Sequence, residues 1–285
     1  MENFTNAQRA EVLVQAMPNI QHYTGSIVVI KYGGNAMINE ELKQHVMEDM
    51  VLLQLIGVRV VLVHGGGPEI TETMQRMGKE SVFQDGLRVT DRETVDIVQM
   101  VLAGKVNKSL VNLLEVKGGN AIGISGMDGR LITAEMKNEK LGYVGTVTKV
   151  NPRPILDLLE KGYIPVISTL GCDAQGNIYN INGDTAAAAI AGALGARRLI
   201  LMTDIDGILR DRNDPDSLIS QMTIHEAREL QGAGVISGGM IPKVECCISA
   251  IEQGVKKVII LDGRVPHAIL MELLTDRGAG TMIQG

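Results

Sequence analysis

The segment Ser26-Ile27-Val28-Val29-Ile30-Lys31-Tyr32-Gly33-Gly34-Asn35 decides the fold. Its run of β-branched aliphatics has no polar alternation, so it suits a strand buried on both faces, as in a parallel sheet. A lysine and a glycine pair follow at the carboxyl end. The same grammar recurs outward along the chain. Val58 to Val63 runs into His64-Gly65-Gly66-Gly67, and Ala121 to Ile124 ends at Ser125-Gly126. Ile164 to Ile167 ends at Ser168-Thr169, Arg198 to Met202 at Thr203-Asp204, and Lys257 to Leu261 at Asp262-Gly263. Helical periods alternate with these runs, which predicts an α/β fold on a mostly parallel sheet.

The helical segments are read from period and caps. Asn39 to Ile56 places Leu42, Val46, Met50, Leu53 and Ile56 on one face, with Asn39 as N-cap and Gly57 as the stop. Asp91 to Val116 opens on a capping aspartate. Thr185 to Leu194 is alanine-rich and suits close packing on a sheet, and Met240 to Ile251 and Pro266 to Leu274 complete the set. Between Thr133 and Val150 the pattern breaks into a hairpin excursion. Residues 5–17 form a short amphipathic helix that ends near Pro18, ahead of the first strand.

Composition narrows the function. The 285 residues carry a net charge of −6, and only 2% are aromatic. Such a chain has neither the basic field nor the stacking platforms of a nucleic-acid binder. The longest small-apolar stretch, Ala186 to Ala196, is too short for a membrane span. The amino terminus lacks the basic start and apolar run of a signal peptide. The three cysteines, Cys172, Cys246 and Cys247, show no zinc spacing and fit a reducing compartment. A cytoplasmic protein is expected. Glycine stands out, with 33 residues where average usage gives about 20.

Many of these glycines stand at strand ends. Lys31-Tyr32-Gly33-Gly34-Asn35 offers a cation and backbone N–H groups that an anion can approach closely, or simply a lysine stem lying over a tight turn. His64-Gly65-Gly66-Gly67-Pro68-Glu69 sets free N–H groups and a helix dipole at a strand's carboxyl end, while His64 is either functional or a satisfied strand-end histidine. In Asn180-Ile181-Asn182-Gly183-Asp184 either Asn182 or Asp184 can cap the helix that follows. Gly238-Gly239-Met240-Ile241-Pro242-Lys243 is a phosphate-binding helix start or an ordinary one with a solvated lysine. Thr203-Asp204-Ile205-Asp206-Gly207 reads as a turn or as a metal-binding pair of aspartates. Neither a Walker A motif nor a dinucleotide GxGxxG fingerprint is present, and no Ser/His/Asp or Cys/His set stands out. Lysines and glycine loops gathered at strand ends suit phosphoryl transfer. If the acceptor is a carboxylate, already ionised at neutral pH, it needs charge relief and no general base.

In this order KYGGNAM, HGGGPEI, DGLRVTD, NINGD, LMTDIDGIL and GGMIPK resemble the motifs of the amino-acid kinase family, over about residues 24–285. Within it they are similar to the branch that phosphorylates N-acetyl-L-glutamate in arginine biosynthesis. Arg88 in its DGLRVTD context favours that substrate over aspartate, glutamate, carbamate or uridylate. The resemblance implies a three-layer α/β/α sandwich on a mainly parallel, open central sheet. It implies an N-terminal arm over 1–25, a lobe over 26–195 for the acyl-amino acid and for dimerisation, and a nucleotide lobe over 196–285. It implies ATP, with Mg2+ held mainly by the nucleotide and no protein ligand to the metal.

Carried over motif by motif, Lys31 and Lys243 flank the transferring phosphoryl group and Asp184 holds both lysines. Gly33 and Gly34 meet phosphate, and Gly66, Gly67, Arg88 and Asn180 bind the acyl-amino acid. Arg88 clamps its α-carboxylate, a task suited to a guanidinium fork. Thr203, Asp204, Gly207 and Gly239 line the ATP pocket. An N-terminal helix like that of 5–17 belongs to members that join dimers into hexamers and are inhibited by arginine. His267, Glu272, Gly278 and Gly280 resemble their effector loop. Asn19 departs from the aromatic often found at that place in relatives. Some relatives also bind a nitrogen-status signalling protein.

Overall fold

The computed structural model describes residues 4–37, 39–211 and 213–285. The first part of the chain forms α1 (Asn6–Tyr23), β1 (Ile27–Tyr32), α2 (Glu40–Leu55), β2 (Arg59–His64), α3 (Gly67–Arg76), β3 (Phe83–Gln84) and β4 (Leu87–Arg88). The middle adds α4 (Arg92–Gln99), α5 (Asn107–Val116), β5 (Ala121–Ser125), β6 (Ile132–Met136), β7 (Gly145–Val150), α6 (Arg153–Glu160), β8 (Ile164–Ser168), β9 (Leu170–Cys172) and β10 (Ile178–Asn180). The last part holds α7 (Gly183–Ala193), β11 (Arg198–Thr203), β12 (Gln221–Thr223), α8 (Ile224–Gly232), α9 (Met240–Glu252), β13 (Lys257–Asp262), α10 (Ala268–Leu274) and β14 (Thr281–Gln284).

Eight strands form one sheet in the order β12-β14-β13-β11-β1-β2-β8-β5. The strands expected from the apolar runs are β1, β2, β5, β8, β11 and β13, and all pair in parallel. β14 pairs antiparallel with β13, and β12 runs alongside β14. These two edge strands were not expected: β14 is short and follows a glycine-rich loop, so its pattern does not stand out. Helices α6 and α8 were likewise not anticipated.

Strand alternation divides the core into two layers. Val28, Ile30 and Tyr32 of β1 pack with α2, α3, α4, α5 and α10. Val29 faces the opposite layer, with Val61 and Val63 of β2 and with α6, α7, α8 and α9. Alanines let α7 lie close to the sheet, with Ala186, Ala187, Ala188 and Ala191 all buried. The Thr133–Val150 excursion is the antiparallel pair β6–β7, part of a second sheet ordered β10-β9-β6-β7.

Caps follow the sequence closely. Asn39 accepts from Leu42 N at 3.0 Å, Asp91 accepts from Thr94 N at 2.8 Å, and Gly57 takes a φ of 87° beyond α2. Two expectations need correcting. The first helix runs through Pro18 to Tyr23. Proline costs a helical hydrogen bond, but buried Tyr23 anchors the far end and Thr24 N still donates to Ile20 O at 2.9 Å. The helix expected over Asp91–Val116 carries a π-helical turn at Met100–Val106 between α4 and α5. Among the described residues, no helix is long and apolar enough to cross a membrane.

Candidate active site at the carboxyl ends of the central strands

Alternation along β1 sends Lys31 to the same side as Val29, toward α7 and α9. There it meets Asp184, in the first turn of α7, at 2.8 Å as an ion pair. Lys243, in the first turn of α9, donates to the other oxygen of Asp184 at 3.2 Å. The structure also decides which residue of NINGD caps the helix. Asn182 Oδ1 accepts from the N–H of Asp184 at 3.0 Å and of Thr185 at 3.1 Å. The Asp184 carboxylate is thereby left to the lysines. Burial alone raises its pKa, but the two ammonium groups outweigh burial and hold it below the usual carboxylate range. Gly183 makes room for this: a Cβ there would stand 3.2 Å from Lys31 Cε.

The triad lies between two cavities. The first, about 150 Å³, is lined by Gly66, Gly67, Arg88, Asn180 and Gly183. Gly66 is the N-cap position of α3, and Pro68 stands in that helix's first turn. The early N–H groups of a helix lack internal acceptors, so this end suits an anion. A Cβ on Gly66 would come within 2.7 Å of Leu102 Cδ2, a side chain on the π-helical turn. That turn therefore sets how close the loop lies to the helix layer. Arg88 is buried and donates to Ser81 Oγ at 2.5 Å, Gly67 O at 2.9 Å and Thr71 Oγ1 at 2.8 Å. Its guanidinium also lies 4.7 Å from the Phe83 ring centre. Burial lowers its pKa, but an arginine starts so high that it stays charged.

His64 is the satisfied strand-end residue. It is fully buried, with Nδ1 2.8 Å from Gly65 O and Nε2 3.1 Å from Asn107 Nδ2. Burial pushes its pKa down to about 4 against the smaller opposing effect of the Gly65 hydrogen bond. A neutral imidazole then donates through Nδ1 and accepts from Asn107, which steadies the Gly65–Gly67 loop. Gly33 abuts this loop, since a Cβ there would lie 3.3 Å from Gly65 N. Gly34 takes a φ of 66°, in the left-handed region that favours glycine. Neither Gly33 nor Gly34 lines either cavity; both sit at the end of β1, beside the triad.

The second cavity, about 560 Å³, brings together Thr203, Asp204, Gly207, Gly239 and Lys243, all anticipated from the sequence, with Arg264. Gly207 has a φ of 133°, and a Cβ on it would lie 2.7 Å from Thr281 Oγ1, which accepts from Ile208 N at 2.9 Å. Arg264 was not foreseen. It pairs with Asp262 at 2.9 Å and with Asp206 at 2.8 Å. A charged residue directly past a strand's carboxyl end, in Asp262-Gly263-Arg264, was the available signal. Within α9, burial pushes the Cys246 thiol up to about 12 and raises Cys247, in the core, well above the ordinary range. Neither thiol is a nucleophile at neutral pH.

The residues expected at an effector loop divide. Glu272, Gly278 and Gly280 line a third cavity of about 250 Å³, with Tyr23 from the end of α1 and with Arg198 and Lys257. Glu272 accepts from Ala279 N at 2.7 Å, and Gly278 takes a φ of 63° beside that carboxylate. His267 is not in this cavity. It stands ahead of α10 and pairs with Asp49 of α2 at 2.6 Å.

Two lysines bridged by one aspartate, between a cavity at a helix start and a larger one at the ends of β11 and β13, make an arrangement suited to an anionic group. Comparison with known proteins agrees. Residues 26–262 match the model of the amino acid kinase family. The chain is 54% identical over 278 residues to an acetylglutamate kinase of Synechococcus sp. (strain RCC307), covering 97% of this chain and 94% of that one. It is 52% identical over 278 residues to an acetylglutamate kinase of Synechocystis sp. (strain ATCC 27184 / PCC 6803 / Kazusa), with the same coverage. Among solved structures it resembles an N-acetylglutamate synthase from Neisseria gonorrhoeae complexed with coenzyme A and N-acetyl-glutamate. The TM-score is 0.84 at 27% identity, over 97% of this chain and 63% of the synthase. The same synthase complexed with coenzyme A and L-arginine matches at a TM-score of 0.79 and 25% identity, over 96% of this chain and 65% of that one. With the fold, the ordered motifs and the full-length likeness in agreement, this chain belongs to the amino acid kinase family, on its acetylglutamate kinase branch.

Proposed function

We propose that the chain transfers the terminal phosphoryl group of ATP to the side-chain carboxylate of N-acetyl-L-glutamate, yielding N-acetyl-L-glutamyl 5-phosphate for arginine biosynthesis. The observation that carries this is the Lys31–Asp184–Lys243 triad between two cavities. A carboxylate oxygen of the acceptor attacks the γ-phosphorus as the bond to the β,γ-bridging oxygen breaks, and ADP leaves with that electron pair. No proton changes hands, which suits a site whose buried histidine is neutral and hydrogen-bonded to Gly65 and Asn107. The barrier is the meeting of two anions, and Lys31 and Lys243 neutralise the charge that gathers between them. Asp184 keeps the two ammonium groups in register.

In the smaller cavity Arg88 takes the α-carboxylate, while Gly66, Gly67 and Asn180 hold the remaining polar groups. The larger cavity fits a nucleotide's phosphates, because Lys243 and Gly239 present a cation and a helix start on one wall. Gly33 and Gly34 approach the transferring phosphate, and Thr203, Asp204 and Gly207 meet the nucleotide. Asp206 and Asp262 are committed to Arg264, consistent with magnesium carried mainly on the triphosphate oxygens. When bound, magnesium neutralises part of the triphosphate charge. An ADP-release assay with N-acetyl-L-glutamate and MgATP, with hydroxamate trapping of the acyl phosphate, tests the proposal. Turnover with unacetylated glutamate in preference, or no hydroxamate, refutes it.

The same reading extends to regulation in the cytoplasm. The cavity holding Glu272, Gly278 and Gly280 adjoins the end of α1 and carries an acidic group suited to a guanidinium. The synthase described above was solved with L-arginine. α1 leaves Val12, Leu13, Val14 and Met17 exposed, apolar surface around the helix that suits joining dimers into a hexamer. Activity titrated with arginine, with and without residues 1–23, tests this; an unchanged rate in the intact chain removes arginine from the scheme.

A further inference from the structure

α2 and the residue ahead of α10 bring three metal-binding side chains to one point. A ligand atom from each of His45, Glu48 and His267 lies within 4.8 Å of the other two. His45 and Glu48 are three residues apart on α2 and so share a face. The His45 and His267 rings lie with centroids 4.6 Å apart, tilted by 47°. Partners already hold two of the three groups. Asp49, itself buried, takes His267 Nδ1 at 2.6 Å, which leaves Nε2 as that ring's ligand atom. Lys117 holds one oxygen of Glu48 at 2.6 Å. The remaining group is incomplete: His45 Nδ1 is buried with no hydrogen-bond partner. A buried polar nitrogen in that state calls for a partner.

We propose that His45, Glu48 and His267 bind a divalent transition-metal ion of the zinc or cobalt class, with Asp49 and Lys117 orienting the ligands. Two imidazoles and one carboxylate, with a fourth position for water, match the ligand preference of zinc. Magnesium prefers an all-oxygen shell, so this site is separate from any ion travelling with the nucleotide. A carboxylate on the far nitrogen of a ligating histidine is the usual outer support of such a site. Bonds of about 2.0–2.1 Å require the side chains to close on the ion by about an ångström. The ion fastens α2 to the start of α10, the helix that carries Glu272 into the third cavity.

The test uses the full-length, untagged chain with Co2+ as a spectroscopic probe and Zn2+ as competitor. Equilibrium dialysis is expected to show one Co2+ per chain, with the visible bands of a tetrahedral nitrogen and oxygen site and no thiolate charge-transfer band. Zn2+ displaces it and raises the Tm. His45→Gln and His267→Gln each weaken binding at least about tenfold, and Asp49→Asn weakens it about 10–100-fold. His225→Gln, at an exposed histidine beside Glu229, leaves binding unchanged. Far-ultraviolet circular dichroism establishes that each variant is folded, and His45→Gln alone suffices if His267→Gln is not. Absence of stoichiometric uptake overturns the proposal. So does uptake that survives in His45→Gln, or a thiolate band, which moves the ion to a cysteine.

Discussion

The two cavities that flank the triad are built from different materials. The smaller one is mostly backbone: a glycine loop, a helix start and one arginine tied to Ser81, Thr71 and the Gly67 carbonyl. The larger one sets charged side chains, Asp204, Asp206, Lys243 and Arg264, among apolar ones such as Ile205, Ile208 and Val235, and Arg264 is paired with Asp206 on its wall and with Asp262 behind it. A backbone cradle cannot re-sort its donors, so it suits the substrate that must be told apart from near relatives. The larger cavity instead offers fixed charge and a helix start, which suits a nucleotide that arrives highly charged and leaves with one phosphate fewer. The triad belongs to both, and its loss should cost most.

Asp184→Asn is expected to leave two mostly buried ammonium groups facing each other. Removing one partner from a buried ionic set costs about 3–5 kcal/mol; thermal unfolding measures it. The effect also has a pH signature. Because the folded carboxyl is held low, its contribution is complete above its unfolded pKa of about 3.9 and fades as pH falls through the lower folded value. The Tm gap between parent and variant should therefore close only in strong acid; a constant gap breaks the assignment. Lys31→Met keeps the packing and removes charge felt mainly in the transition state. By analogy with loss of one oxyanion donor, kcat should fall by about 10²–10³, or about 2.7–4 kcal/mol, with KM little changed.

On the backbone-built side, His64 predicts acid sensitivity. Its folded pKa of about 4 lies below the unfolded value of about 6.5. Stability from the neutral ring is therefore full above pH 6.5 and is lost as pH falls toward 4, by up to about 3 kcal/mol. His64→Gln should flatten that slope in denaturant unfolding at stepped pH. Gly66→Ala forces a methyl group onto Leu102 and should cost about 1–3 kcal/mol, with a raised KM for the acyl-amino acid and little change for ATP. On the side-chain-built side, Arg264→Ala breaks a half-exposed pair with Asp206 and takes one partner from buried Asp262, seen as a rise in the KM for ATP. If Arg264→Ala leaves the KM for ATP unchanged, or Gly66→Ala raises it, the contrast between the two cavities is misdrawn.

Much of this was legible in the residues because parallel strands advertise themselves. β1, β2, β5, β8, β11 and β13 are continuous apolar runs, and their carboxyl ends carry the glycines and charges that make the site. Lys31, Asp184 and Lys243 were readable as motif members, but their meeting depends on strand parity and on α7 and α9 sharing a layer. Asn182 and Asp184 were equal candidates for the cap until the geometry assigned one to each task. β14 was hidden because its pairing is set by β13 across the sheet rather than by its own short pattern. Arg264 was hidden because one of its partners, Asp206, lies on a separate loop, and Asn107 because its contacts reach both His64 and the Val166 carbonyl. The π-helical turn left no trace in a periodicity that α4 and α5 carry smoothly past it.

The adjacent cysteines of α9 bear on the durability of the molecule under oxidative stress. Oxidants and alkylating agents react with thiolate, and a pKa of about 12 at Cys246 leaves on the order of one sulfur in 10⁵ ionised at neutral pH. The helix that carries Lys243 thus holds two sulfurs within a few residues of the candidate site, yet both are chemically quiet.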